Sequence, residues 1–182
     1  MYAEPPRLAL TRLPVARRVA LEALAAELIG HYPTGRRMLA IDGAGGEAQR
    51  AFADDLALVF EARGEGVFRA SAADFTNDMV RALLDPFRMN GSTGFVLASY
   101  DRVREAPRVV TWTTGPADAI LIVDGTGLQE PALRGRWHAV VWVDAGEPPA
   151  LDRTFAGPRE RASAVYDLRD PDAPERVFLD AC

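Results

Sequence analysis

Residues Met38–Leu56, MLAIDGAGGEAQRAFADDL, decide the fold of this chain. The apolar run that closes on Asp42 predicts a buried strand, and the glycines that follow predict a tight turn. Phe52 and Leu56 then fall on one face of a helix. Such a unit collects main-chain N–H groups and the positive end of a helix dipole at one point, which favours an anion.

The spacing fits the phosphate-loop (P-loop) pattern G-x-x-x-x-G-K-[ST] from Gly43, but only the first glycine is kept. Ala48 stands at the position of the second glycine. Gln49 replaces the lysine, and Arg50 replaces the serine or threonine. The sequence therefore predicts the scaffold of a phosphate-binding loop without its usual side chains.

Each replacement changes the chemistry of the loop. The lysine of a P-loop brings a positive charge to the phosphates, and the hydroxyl after it holds Mg²⁺. Gln49 offers only a neutral hydrogen bond, Arg50 can grip an anion but cannot ligate a metal, and Glu47 would repel a triphosphate. The candidate phosphate-binding residues are Gly43, Ala44, Gly45, Gly46, Glu47, Ala48, Gln49 and Arg50.

Composition limits the classes of function. With 182 residues the chain predicts one domain, with a helical lead-in over 1–34 and a short lid-like region over 145–175. All 21 basic residues are arginine, so no lysine elsewhere in the chain can replace the missing one. A net charge of −5 without a basic stripe argues against nucleic-acid binding.

No apolar run is long enough for a membrane span, and the N-terminus does not read as a signal peptide. The single cysteine excludes an intrachain disulfide, which makes a reducing cytoplasm the expected location. The two histidines lie far apart without nearby cysteines or clustered carboxylates, so no zinc site is predicted.

The remaining pattern predicts a three-layer α/β domain with a mostly parallel central sheet. Continuous apolar runs closing on Asp124 and Asp144 are typical of strands buried on both faces. A helix is predicted over Val15–Ile29, with Arg17 and Arg18 facing water. Other predicted elements are a strand at Gly66–Ala70, a helix from Thr76 or Asn77 ended by Asp85-Pro86, strands at Phe95–Tyr100 and Val109–Thr113, a short helix over Pro131–Arg136, short helices within Pro148–Tyr166 and a strand over Arg176–Asp180.

Several segments together resemble the uridine kinase-like P-loop nucleoside kinases, especially their bacterial branch. The segments are AIDGAGG from Ala40, SAADF from Ser71, LLDPF from Leu83, ASYD from Ala98 and ILIVDGTGLQEPALRGRWHAVVWVDA from Ile120. The resemblance covers about three quarters of the chain. The resemblance implies that Asp74 matches the base that faces the sugar hydroxyl and that Asp124 matches the Walker B acid.

The chain departs from that family at several functional positions. Only seven residues separate Phe75 from Leu83, where the family has a longer segment covering the substrate. The arginines after Asp144 lack the spacing of the family's lid. Because the loop, the metal ligand, the cover and the lid are altered together, the resemblance predicts a non-catalytic descendant, a pseudokinase.

Purely structural interpretations of the same residues stay open. The glycines of the loop could form a turn without a ligand, Arg50 could be solvated, and Asp74 could cap a turn. Asp124 could hold a neighbouring loop instead of a metal.

Three hypotheses follow from the sequence. The first is a degenerate kinase-like protein that weakly binds a nucleotide, a nucleoside or a small anion. The second is an active nucleoside kinase that uses ATP and Mg²⁺, with Asp74 as base. The third is a structural or interaction module whose cleft is filled. No cofactor or metal site is predicted with certainty, and a protein partner is left open.

Overall fold

Six strands form the central sheet in this computed structural model, which describes residues 5–89, 91, 93–146 and 157–178. The strand order is β10-β9-β8-β1-β7-β2, and every pairing is parallel except that of β10 with β9. The strands are β1 Arg37–Gly43, β2 Val67–Ser71, β7 Ile120–Asp124, β8 Ala139–Asp144, β9 Ala164–Asp167 and β10 Glu175–Val177.

Helices cover both faces of this sheet, which gives the predicted three-layer α/β architecture. The helices are α1 Pro6–Leu10, α2 Val15–His31, α3 Glu47–Ala62 and α4 Asp85–Arg88, the last directly preceded by a π-helical turn over Val80–Leu84. Leu39 and Ile41 of β1 pack with α2 and α3, whereas the alternate residues Met38 and Ala40 pack on the opposite side with α4. This alternation explains why the residues between Arg37 and Asp42 are all apolar and why the strand is buried along its length.

Strand β1 lies in the middle of the sheet, and its register brings three acidic strand ends together. Ile41 pairs with Asp124 of β7, and on the other side Asp42 pairs with Trp142 of β8. Because ligands of open parallel sheets bind beyond the carboxyl ends of the strands, this edge is the natural place for a site.

A small antiparallel segment over residues 95–113, which we call the arm, follows α4 in the chain. It contains β3 Phe95–Val96 paired with β6 Trp112–Thr113, and β4 Tyr100–Asp101 paired with β5 Ala106–Pro107, all antiparallel. The two strands predicted between Phe95 and Thr113 therefore exist as short pairs outside the central sheet.

Two predicted elements are wrong, and a third has no support in its described part. The helix does not end at Asp85-Pro86 but continues to Arg88, because Pro86 sits in the first turn of α4. Residues 131–135 form turns rather than a helix. Within Pro148–Tyr166, the described residues from Gly157 contain no helix but do contain the start of β9, a strand that the sequence analysis missed; residues 148–156 lie outside the described part.

Arg17 was also predicted wrongly. Its side chain is buried, and its Nε donates to Asp55 Oδ2 of α3 at 2.6 Å. Only Arg18 lies at the surface as expected, half-exposed beside Glu22. An arginine in a helix can be drawn inside when a neighbouring helix offers a carboxylate.

Candidate functional site

The glycine loop between β1 and α3 is shaped by positive φ angles. Gly43, Gly45 and Gly46 have φ values of 152°, 87° and 94°. A Cβ on Gly43 would lie 2.4 Å from the carbonyl oxygen of Val143, so only glycine fits this close approach to β8. The sequence therefore keeps glycine where the backbone requires it.

Gln49 fills the interior of the loop. Its side-chain Oε1 accepts a hydrogen bond from Gly45 N–H at 2.7 Å, and its Nε2 donates to the carbonyl oxygens of Ile41 and Gly125 at 2.7 and 2.8 Å. The residue is only 1% exposed. The glutamine at the lysine position thus cross-links the loop to the ends of β1 and β7 and takes up one of the amides that could face a phosphate.

Part of the loop keeps free donors. Within the described residues, no acceptor is found for the main-chain N–H groups of Glu47 and Ala48, and Gly46 supplies no side-chain cap to the helix. These amides lie at the positive end of α3. The exposed Glu47 carboxylate stands beside them and opposes an incoming anion.

Asp124, the predicted Walker B acid, is held by cations and a hydroxyl of this chain. It is 5% exposed, its Oδ1 accepts from Arg69 at 2.9 Å, and its Oδ2 accepts from Ser71 Oγ at 3.2 Å. Arg50 Nε lies 4.0 Å from the same Oδ2. Its charge is therefore compensated within the fold.

Asp74 lies in the 3₁₀ turn that follows β2. Its Oδ1 forms an ion pair of 2.9 Å with Arg102 Nε on the arm, and its carbonyl oxygen accepts from Ser99 N–H. The carboxylate lines the same cavity as Arg50 and Asp124. The structure thus brings together the predicted base, the predicted Walker B acid and the last loop residue.

Two cavities flank the glycine loop. One, of about 310 Å³, lies on the β2 side and is lined by Arg50, Asp54, Arg69, Ala70, Ser71, Asp74, Leu97, Ala98, Arg108 and Asp124. The other, of about 330 Å³, lies on the β8 side and is lined by Asp42, Gly43, Gly127, Gln129, Glu130, Pro131, Arg134, Trp142, Pro158 and Arg161.

The residues around Asp124 do not fit the Mg²⁺ ion that kinases of this fold use. Magnesium needs several oxygen ligands, whereas Asp124 is already bound by Arg69 and Ser71. Arg50 adds a second positive charge where a hydroxyl ligand would stand. Among the described residues, no group of three or more histidine, cysteine, aspartate or glutamate side chains could hold a metal.

Asp42 is a second buried acid at this edge, and the sequence analysis did not select it. It is 1% exposed, and burial raises its pKa above the ordinary value, although N–H groups of Gly43, Leu128 and Gln129 donate to it. The Gln129 side chain also donates to the carbonyl oxygen of Pro158 at 2.6 Å. The sequence signal for Asp42 was its position as the last residue before the glycine turn.

The other residues that sequence reasoning missed are Arg69, Ser71 and Arg108. Ser71 opens the SAADF segment, and Arg69 interrupts the apolar pattern of β2 two residues earlier. A charged residue inside a predicted strand of a buried sheet is a signal for a paired partner. Arg108 lies on the arm and carries no comparable signal.

Two solved structures share this fold. One is described as a possible uridine kinase from Bacillus stearothermophilus, with 16% identity, a TM-score of 0.60, and coverage of 71% of this chain and 82% of that chain. The other is a putative fructose transport system kinase from Silicibacter sp. TM1040, with 17% identity, a TM-score of 0.56, and coverage of 69% and 75%. No protein-family model and no curated protein matches the sequence.

These comparisons show that the chain has the three-layer α/β fold of those two P-loop kinase structures. The resemblance to uridine kinase-like proteins that the sequence motifs indicated is confirmed at the level of the fold. Within the described residues, no helix is long and apolar enough to cross a membrane.

Proposed function

We propose that this chain is a non-catalytic protein of the P-loop kinase fold that weakly binds a phosphate-bearing ligand, such as a nucleotide or a smaller phosphate. One observation carries the proposal: the buried Gln49 side chain closes the loop from inside. A kinase needs positive charge at this place to stabilise the transferred phosphoryl group. Gln49 supplies none.

The surroundings of Asp124, where a kinase would hold its magnesium ion, support the same conclusion. Arg69 and Ser71 already occupy the oxygens of Asp124, and Arg50 stands where a magnesium-binding hydroxyl is found in active loops. Stabilising groups of this kind contribute roughly 3–4 kcal/mol each to a transition state. Two such losses would slow a reaction by about four to six orders of magnitude.

Binding remains feasible without catalysis. The open N–H groups of Glu47 and Ala48 and two arginine side chains, Arg50 and Arg108, lie around the site. Such groups attract phosphate oxygens without a metal.

A phosphotransfer assay tests the negative half of the proposal. Purified protein incubated with ATP or GTP, Mg²⁺ and uridine or cytidine should give no product above background, for the reasons above. Asp74→Asn is the control variant. Robust turnover by the wild type that Asp74→Asn abolishes would overturn the proposal and favour an active kinase with Asp74 as base.

A calorimetric titration with ATP and with phosphate, with and without Mg²⁺, tests the binding half. We expect weak binding that Mg²⁺ does not strengthen. Glu47→Ser should strengthen binding by about 0.5–1 kcal/mol if the ligand approaches the helix N-terminus, because a repelling charge is removed there. If no anion binds the wild type at millimolar concentration, the interaction module with a filled cleft, which the buried Gln49 side chain also suits, becomes the better function.

A further inference from the structure

The cavity on the β2 side, which we call the arginine crevice, is lined by Arg50, Arg69 and Arg108 together with Ser71 and Asp124. We infer that this crevice, not the glycine loop, binds the phosphate group, and that the ligand is a small phosphate monoester. The inference rests on the proposed function and names the site and the class of its ligand.

Arg69 serves the framework of the crevice. Its guanidinium donates to Asp54 Oδ1, to Asp124 Oδ1 and to the carbonyl oxygens of Ala70 and Ile122, all between 2.7 and 2.9 Å. These bonds engage all three of its nitrogens. Arg69 therefore binds both acids, cancels one of their two negative charges and supplies, as a fixed part of the fold, a positive charge next to Asp124.

Arg50 and Arg108 keep donors for a ligand. The contacts of Arg50 are loose, at 3.4 Å to Ser71 Oγ and 4.0 Å to Asp124 Oδ2. For the Arg108 guanidinium, no hydrogen bond or ion pair is found within the described residues. Asp101, an acid outside the crevice, interacts electrostatically with Arg108 and accepts main-chain hydrogen bonds from Val103 and Arg104.

Asp54 and Asp124 are both paired with Arg69, and Asp74 is paired with Arg102. With Arg102 included, four arginines surround the three acids of the crevice, which leaves one net positive charge. Among the described residues, Arg50 makes only a loose contact of 4.0 Å with these acids, and the Arg108 guanidinium has no ion pair with them. Two guanidinium groups around a hydroxyl such as that of Ser71 form a typical phosphate site.

The glycine loop offers less. Gln49 occupies the Gly45 N–H, Asp42 occupies the Gly43 N–H at 2.9 Å, and Glu47 places a negative charge at the mouth of the loop. An anion that enters the loop would have to displace the Asp42 carboxylate from the Gly43 N–H or approach the Glu47 carboxylate. In the arginine crevice the acids are already paired.

The size and walls of the crevice limit the ligand. A volume of about 310 Å³ is at the lower end of small-molecule sites. Leu97 and Ala98 provide an apolar wall, and the half-buried Asp74 carboxylate can accept a bond from a ligand hydroxyl. A phosphate carried by a short polyol suits this cavity better than a nucleoside triphosphate.

Calorimetric titration with glycerol 3-phosphate and with inorganic phosphate tests the inference, with glycerol as the uncharged control. Arg108→Gln should weaken binding of both anions about tenfold or more, because a charge-assisted contact is lost. Arg134→Gln is the matched control, since Arg134 lies at the surface and lines the cavity on the other side of the loop. It should change binding less than about twofold. Glycerol should not bind measurably.

A second variant guards against misfolding. Arg50→Gln should also weaken the binding of glycerol 3-phosphate. Thermal unfolding of each variant reports whether it remains folded. If the wild type binds the anions, and binding is weakened by Arg134→Gln but not by Arg108→Gln, the site lies elsewhere. The inference is then overturned while the proposed function stands. If phosphate, glycerol 3-phosphate and ATP all fail to bind the wild type, the proposed function fails and the inference with it.

Discussion

Gln49 shows how a single residue can preserve a loop while removing its chemistry. Its amide has both a donor and an acceptor, and both are used: Oε1 by Gly45 N–H, and Nε2 by two carbonyl oxygens. A lysine carries donors only and could not accept the bond from Gly45. The glutamine therefore stabilises the loop in a form that needs no ligand.

This predicts a large effect of Gln49→Ala on stability. The change would leave the partly buried Gly45 N–H and Gly125 carbonyl without their partner and would open a small cavity. Together these should lower the free energy of unfolding by about 2–4 kcal/mol. Urea unfolding followed by circular dichroism measures it. Glu61→Ala, at an exposed position of the same helix, should stay within about 0.5 kcal/mol of the wild type.

A loss below about 1 kcal/mol for Gln49→Ala would contradict the prediction. It would mean that the loop relaxes and that water satisfies the freed groups. The Gln49 side chain would then not hold the loop, and a phosphate could displace it from the loop N–H groups at little cost.

At the scale of elements, Arg17 joins three parts of the chain. It extends from α2 to Asp55 on α3, and its Nη1 donates to the carbonyl oxygen of Pro171 in the turn before β10. The Arg17 N–H also donates to the carbonyl of Asp172. One buried side chain thus fixes the packing of two helices and the return of the chain to the sheet edge.

Arg17→Ala should therefore be much more destabilising than Arg18→Ala. Removing one partner of a buried ion pair costs about 3–5 kcal/mol, and the partial exposure of Asp55 reduces this to about 2–3 kcal/mol. The neighbouring Arg18 forms only a 3.9 Å surface contact with Glu22, so its loss should cost less than about 0.5 kcal/mol. Chemical unfolding of the two variants measures both values, and equal losses would show that the buried pair adds nothing.

The pattern of apolar residues predicted the central strands of the sheet but not the contacts that hold them in place. The runs ending at Asp42, Asp124 and Asp144 identify strands because strands buried on both faces are continuously apolar. β9 was missed because it has only four residues after a segment interrupted by proline and glycine. The helix past Pro86 was missed because proline is allowed in a first helical turn as well as after a helix end.

The candidate site was predictable in position rather than in detail. The glycine turn and two acids indicated the edge of the sheet, and the structure places all of them there. The closure of the loop depends on which rotamer Gln49 adopts among buried backbone groups, and the crevice depends on an arm whose folding brings Arg108 near Arg50. Contacts of this kind between distant segments leave no periodic pattern in the sequence.

Across the whole molecule, the sheet concentrates acids at one edge and compensates each differently. Asp144 is bound by the buried Arg159 at 2.9 Å, and Asp124 is bound by Arg69. Asp42, between them, has no cationic partner among the described residues and relies on N–H donors. At this central acid burial prevails and raises the pKa above the ordinary value.

This difference predicts the sign of a pH effect on stability. A carboxyl whose pKa is raised in the folded protein binds its proton more tightly there, so protonation favours the fold. The contribution of Asp42 is most favourable below its ordinary pKa of 3.8 and is lost as the pH rises through the folded value. His138 acts in the opposite sense, since burial lowers its pKa and folding loses stability below about pH 6.5.

Comparison with Asp42→Asn separates the two contributions, because His138 is common to both proteins and cancels in the difference. The free energy of unfolding of the wild type minus that of Asp42→Asn should decrease as the pH rises above the ordinary pKa of 3.8 and become constant above the folded value. Urea unfolding at several pH values measures this difference without requiring equal stability at any one pH. A difference that increases with pH would show that the N–H groups donated by Gly43, Leu128 and Gln129 outweigh burial and lower the pKa of Asp42. In that case the central acid of the edge would be held as a stable carboxylate, and its negative charge would add to that of Glu47 in repelling a phosphate from the loop.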